Sequence, residues 1–136
     1  MTTLVPIQTD AFGEWWPQTE PLALQALYNA RSLLTLDELY TSLKTGTRQL
    51  WLIMSDHDVV GCVITEIYPT QRGLTCALPI AAGRDDHIGP CLEVIEAWAR
   101  SEGCARMEFV GRMGWVRRMK RYGWQTMSMT IEKELI

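Results

Sequence analysis

The chain has 136 residues, 47% of them hydrophobic and 21% charged, with a formal net charge of −3. That length supports one globular core and excludes two; the composition excludes a disordered chain, and the weak negative charge gives no global attraction to nucleic acid. No run approaches about 18 apolar residues and MTTLVPIQTD has no basic n-region, so a soluble cytoplasmic protein with no membrane partner is expected.

LVPIQ (4–8) reads as an edge strand, because Pro6 cannot donate to a central ladder. TEPLALQALYNA (19–30) reads as a first helix, with Pro21 near its first turn and Leu24, Leu27 and Tyr28 at helical spacing. Trp15-Trp16-Pro17 then falls before it, in a loop or an earlier turn. Thr35-Leu36-Asp37-Glu38 fits a capping box, in which the threonine hydroxyl and the glutamate carboxylate each cover an exposed backbone N–H. Leu36, Leu39, Tyr40 and Leu43 form the buried stripe of that second helix, and Gly46 closes it.

RQLWLIMS (48–55) and VVGCVITEIY (59–68) flank the polar turn Asp56-His57-Asp58, the pattern of an antiparallel hairpin. RGLTCALPIAAG (72–83) follows the turn Pro69-Thr70-Gln71 as a third strand, with Pro79 marking a break or bulge. These runs are too apolar for one wet face, so helices are expected on both sides.

Within AAGRDDHIGPCLEVIEAWARSEG (81–103), Cys91, Leu92, Ile95, Trp98 and Ala99 share one helical face while Glu93, Glu96 and Arg100 point away; Gly103 ends the pattern. RMEFV (106–110) reads as a short buried strand. MGWVRRMKRYG (113–123) reads as a last helix with Trp115, Met119 and Tyr122 inward, and TMSMTIEKEL (126–135) as a final strand. The order predicts one α/β domain with a mixed sheet between helices.

Cys62, Cys76, Cys91 and Cys104 lie far apart with no C-x-x-C pair, and read as buried reduced thiols. His57 and His87 are isolated from them and from each other, so no metal site is expected. Arg112, Arg117, Arg118, Lys120 and Arg121 read as the solvated face of the last helix, with cations near its C-terminal end where the dipole favours them. No nucleic-acid module accompanies them, and nucleic acid is not an expected partner.

Two stretches, CLEVIEAWARSEGCARMEFV (91–110) and MKRYGWQ (119–125), carry a resemblance that covers nearly the entire chain. The sequence resembles the GNAT superfamily of N-acetyltransferases, and is similar to GNAT-like proteins encoded by tailed phages and prophages. The resemblance implies a single domain over residues 1–136, built on a mixed, mostly antiparallel twisted sheet with helices on both faces. It also implies acetyl-CoA as the acyl donor, and a small-molecule or protein amine as the acceptor.

In the family an R-x-x-G-x-G or R-x-x-G-x-A loop opens the central helix, and its N–H groups receive the coenzyme pyrophosphate. Arg84-Asp85-Asp86-His87-Ile88-Gly89 matches at its first and last positions, with His87 where glycine is expected. Histidine adds bulk there and two aspartates add negative charge, although the aspartates also suit a helix cap. Main-chain groups of Leu78 and Ile80 would polarise the thioester carbonyl.

The family's usual tyrosine falls on Met119, its frequent asparagine falls on Arg112, and GLTCALPIA (73–81) contains no acid. Glu66 on the preceding strand is the carboxylate placed to face the cleft, and Tyr122 or Tyr68 is the substitute proton donor. Two readings follow: an acetyl-CoA-dependent N-acyltransferase, or a GNAT-fold protein without catalysis that binds a protein partner, a homodimer being compatible with either.

Overall fold

A computed structural model describes residues 2–110 and 113–135, with residues 85 and 113 described by backbone alone. The elements in chain order are β1 (Thr2–Ile7), α1 (Phe12–Asn29), α2 (Leu36–Thr45), β2 (Gln49–Ser55), β3 (Asp58–Thr70) and β4 (Gly73–Ala82). They are followed by α3 (Asp85–Ser101), β5 (Arg106–Phe109) and α4 (Met113–Met119), with 3-10 turns at Thr9–Ala11 and Lys120–Tyr122.

The strands form one sheet in the order β1-β2-β3-β4-β5. The first four are antiparallel: β1 pairs with β2 across the connection that holds α1 and α2, and short turns join β2 to β3, where Ser55 pairs with Asp58, and β3 to β4, where Thr70 pairs with Gly73. Asp56 takes φ 57°, a left-handed conformation that aspartate tolerates in such turns. The long return through α3 makes β5 parallel to β4.

Alternate residues of β2 serve opposite cores. Leu50 and Leu52 pack under α1 and α2 with Phe12, Leu27, Leu39 and Leu43, whereas Trp51 and Ile53 pack under α3 with Ile88, Leu92 and Ile95. The sheet is therefore buried on both faces, as its apolar runs predict.

Pairing between β3 and β4 shifts between Ile64 and Glu66: Ile64 pairs with Ile80 but Glu66 with Ala77, so Leu78 and Pro79 together oppose Thr65. This is the bulge expected at Pro79, a residue with no N–H to give the ladder. It reverses the facing of β4. Cys76 and Leu78 join the α3 core, and Ile80 joins the α1 core.

Several expectations change. The first helix begins at Phe12, not at residue 19, and takes in Trp15, Trp16, Pro17 and Pro21. A proline inside a helix costs about 3 kcal/mol against alanine, but burial outweighs that here. Phe12, Trp16 and Tyr40 pack as a ring cluster with centroids 5.3–5.4 Å apart, and the Thr19 hydroxyl donates to the Trp15 carbonyl at 2.7 Å. The buried stripe is accordingly Phe12, Thr19, Ala23 and Leu27, while Leu24 and Tyr28 face solvent.

Another change is at the C-terminus, where residues 124–135 form no strand. Met127, Met129 and Ile131 alternate as a strand would, yet all are exposed. Alternation alone does not make a strand without a ladder partner, and none pairs with them among the described residues. Helix α4 likewise ends at Met119; Met119 is buried, Trp115 is partly buried against the α3 core, and Tyr122 is exposed. Strand β5 is half-buried, not buried.

Candidate active site

The β4–β5 ladder runs only from Thr75↔Arg106 to Leu78↔Phe109, while β4 continues to Ala82. Past the bulge, no strand among the described residues lies beside Pro79–Ala82 on that side. The opening is a cleft of about 750 Å³, walled by Pro79, Ala81 and Gly83 of β4 and its loop, Ala26 of α1, and Trp115 and Arg118 of α4. That volume lies within the about 300–1,000 Å³ typical of small-molecule sites. Arg118 brings positive charge, its guanidinium 6.0 Å from the Trp115 ring centroid.

A second cavity of about 360 Å³ is lined by Glu66, Tyr68, Ala77, Leu78 and Glu108. Pro79 and Val110 line both cavities, so the two meet at the bulge. The sheet register explains the grouping. Glu66 pairs with Ala77, and Ala77 with Glu108, which sets the two carboxylates on either side of a residue too small to fill the space between them.

Both carboxylates are held by arginines. Glu66 Oε2 accepts from Arg48 Nε at 3.2 Å, and Glu108 Oε2 accepts from Arg106 Nη1 at 3.1 Å. The Tyr68 hydroxyl donates to Glu108 Oε1. That hydrogen bond, then burial and the Glu108 charge, raises the Tyr68 pKa above its ordinary value, with Arg106 opposing. Tyr68 thus keeps its proton and points it at Glu108, which suits it to orienting a ligand more than to releasing a proton.

At the start of α3 the backbone turns at Gly83, with φ 135°, and the N-cap residue is Arg84. The Arg84 side chain makes no capping hydrogen bond. Asp86 instead forms a two-pronged pair with Arg84, at 3.2 Å from Nε and 3.0 Å from Nη2. His87 Nδ1 is buried without a hydrogen-bond partner among the described residues, and Ile88 is fully buried in the α3 core. Gly89 sits under the Tyr122 hydroxyl, which lies 3.1 Å from where a Cβ on it would be.

The sequence candidates therefore separate. Glu66 and Leu78 share the smaller cavity with Tyr68, and Ile80 lines the larger cleft. Arg84, Asp86, His87, Ile88 and Gly89 cluster at the head of α3, and neither they nor Tyr122 line these cavities. The side chain of Asp85, and Arg112, lie outside the described residues. Glu108 had no sequence signal, because only the parallel register of β5 brings it beside Ala77. Among the described residues no group of three or more His, Cys, Asp and Glu could hold a metal ion, and no helix is long and apolar enough to cross a membrane.

No protein-family model matches the chain, and no curated protein does. Solved structures do. A predicted acetyltransferase from Clostridium acetobutylicum, crystallised with acetyl-CoA, is similar at TM-score 0.69 and 11% identity over 98% of this chain and 96% of that one. Glucosamine-6-phosphate N-acetyltransferase from Arabidopsis thaliana matches at TM-score 0.67 and 10% identity over 100% and 99%. The ribosomal-protein-alanine N-acetyltransferase of Brucella melitensis biovar Abortus matches at 0.63 and 16% identity, also over 100% and 99%. The fold is that of the GNAT acetyltransferases: a mixed, mostly antiparallel five-stranded sheet with helices on both faces.

Proposed function

We propose that the protein is an acetyl-CoA-dependent N-acetyltransferase, with the donor in the larger cleft and an amine in the smaller cavity. The observation that carries this reading is the meeting of the two cavities at Pro79 and Val110, beside the β4 bulge. A thioester presented from one side and an amine from the other would come together there.

The cleft fits the coenzyme's flexible arm in volume and in chemistry, since β4, paired with β3 on one side only past the bulge, offers on the other the main-chain donors and acceptors that point there. Pro79 has no N–H, so main-chain donation at the bulge falls to its neighbours Leu78 and Ile80. The coenzyme, when bound, supplies an acetyl thioester reactive toward amines. Glu66 is the carboxylate placed to accept the proton that an ammonium must lose before its nitrogen can attack, with Arg48 fixing its orientation; as the C–N bond forms the C–S bond breaks, and the coenzyme would leave as its thiol with the second nitrogen proton. Tyr68 holds the amine in register.

Calorimetry with acetyl-CoA tests this. A Cβ on Gly114, which lines the cleft, would meet nothing within 4 Å. Gly114→Trp should then fill the cleft and abolish micromolar binding while the protein stays folded. Wild-type protein with no heat of binding at millimolar coenzyme would sink the proposal.

A second reading, a GNAT-fold binding protein without catalysis, draws on the head of α3. There Arg84 spends its charge on Asp86, and His87 stands where the family loop has glycine. Acetyl transfer to an amine by wild-type protein decides between the two, and acetyl-CoA affinity in Arg84→Glu tells what the loop does. A loss assigns the loop to the pyrophosphate, and no change leaves it a corner of the fold.

A further inference from the structure

The smaller cavity says more about its ligand than its position does. Its polar groups are Glu66, Tyr68 and Glu108, and its remaining walls are Ala77, Leu78, Pro79 and Val110. Arg48 and Arg106, which neutralise the two carboxylates, do not line it.

The donor and acceptor inventory is one-sided. Glu108 uses Oε2 on Arg106 and Oε1 on the Tyr68 hydroxyl. Tyr68 has therefore committed its only proton, and its oxygen keeps acceptor capacity alone. Glu66 uses Oε2 on Arg48, and its Oε1 accepts no hydrogen bond among the described residues. Among the described residues the cavity thus offers acceptors and no side-chain donor, between apolar walls. An alkylammonium group is the complement, with three donors, no acceptor, and a hydrocarbon stem.

We propose that this cavity selects a small primary alkylammonium ion, and that Glu108 is a positioning residue for that choice, acting through Tyr68. The inference rests on the smaller cavity being the acceptor side of the proposed transferase. Glu108 works by holding the Tyr68 proton away from the ligand. With Gln at position 108, the amide can donate to the tyrosine oxygen, and Tyr68 then turns its own proton toward the ligand, against an ammonium and in favour of an alcohol.

The test is a nuclear magnetic resonance titration of the intact protein near neutral pH with n-butylamine, n-butanol and butyrate, which share a stem and differ in head group. The amine is protonated there, as a lysine side chain is. Shifts at Ala77, Leu78 and Val110 should follow n-butylammonium, with the alcohol at least about tenfold weaker and butyrate not binding. Glu66→Gln and Glu108→Gln should each weaken the amine by about tenfold, and Glu108→Gln should also narrow the gap between amine and alcohol. Tyr68→Phe frees Glu108 Oε1 to accept from the ligand directly, so it should keep the preference for amine over alcohol that Glu108→Gln narrows, and guards against a Glu108 variant that disturbs β5.

Equal binding of alcohol and amine, or an amine-to-alcohol ratio unchanged in Glu108→Gln, would overturn the proposal. Acetyl-CoA is titrated into the same samples. Its affinity should not change in these variants, because neither carboxylate lines the larger cleft. Coenzyme binding without amine selectivity overturns this inference and leaves the transferase reading standing; amine selectivity without coenzyme binding does the reverse.

Discussion

The Tyr122 hydroxyl oxygen lies 3.1 Å from the point a Cβ would occupy on Gly89. A glycine that reads from sequence as part of an anion loop thus has a packing reason to be small. The close atom is the far end of an exposed side chain, which can move a few tenths of an ångström at little cost. Alanine also loses less backbone entropy than glycine on entering a helix. Gly89→Ala is expected to raise folding stability, by about 0.5 kcal/mol. Urea unfolding of the two proteins checks this, and a loss of more than about 1 kcal/mol would mean that Tyr122 is fixed in place.

Thr65 is fully buried and its hydroxyl is a relay: it accepts from the Trp51 indole N–H at 3.1 Å and donates to Gln49 Oε1 at 3.0 Å. Thr65→Val keeps the shape and strands the indole N–H. The expected cost is about 1–3 kcal/mol, because a buried donor without an acceptor bears its full desolvation penalty. A shift in urea midpoint at unchanged slope would confirm it, and an unchanged midpoint would show water reaching the site.

The raised pKa of Tyr68 has a defined sign. A folded-state value above the unfolded one means that the protonated hydroxyl stabilises the fold, fully so below the ordinary tyrosine range and less as pH climbs through the folded value. The stability difference between wild type and Tyr68→Phe should therefore be constant through neutral pH and shrink above about pH 10. A difference independent of pH up to that range and beyond would remove Glu108 as the cause.

Burial pushes the Cys62 and Cys76 thiols up to about 12, Cys76 with a smaller push from Cys104. Burial also raises Cys91, and burial followed by Glu102 raises Cys104. Few thiolates exist at neutral pH, and only Cys104 has partial exposure. Timed alkylation followed by mass spectrometry should label Cys104 slowly, and the other three only when the protein unfolds. Early labelling of Cys62 would indicate opening of the sheet in the native state.

Local chemistry was legible in the sequence where it was self-contained. Thr35 accepts from the Glu38 N–H at 3.1 Å and Gly46 ends α2 in a left-handed conformation with φ 84°, both within reach of a few residues. Pro79 announced its bulge, and the apolar strands announced their two covered faces. Where a distant partner decided the outcome, the sequence was silent or misleading. The ring of Tyr40 on α2 is part of what holds Phe12 and Trp16 in a helix that two prolines argue against. The alternation of residues 126–135 had no ladder to join. Glu66 was found because it stands alone on its strand, whereas Glu108 became a site residue only through a register that no single strand encodes.

The bulge in β4 leaves one residue of the strand outside the demands of packing. Cys76 and Leu78 belong to one core and Ile80 to the other, while Pro79 belongs to neither and stands where both cavities meet. Most positions that shape a ligand's surroundings also support the fold, so altering one quality endangers the other. Here the two are joined at one residue. The proline that favours the bulge also stands beside both cavities, so position 79 can vary only among residues that keep the bulge, and the strand's surplus residue ties the choice of ligand to the register that assigns each β4 side chain to its core.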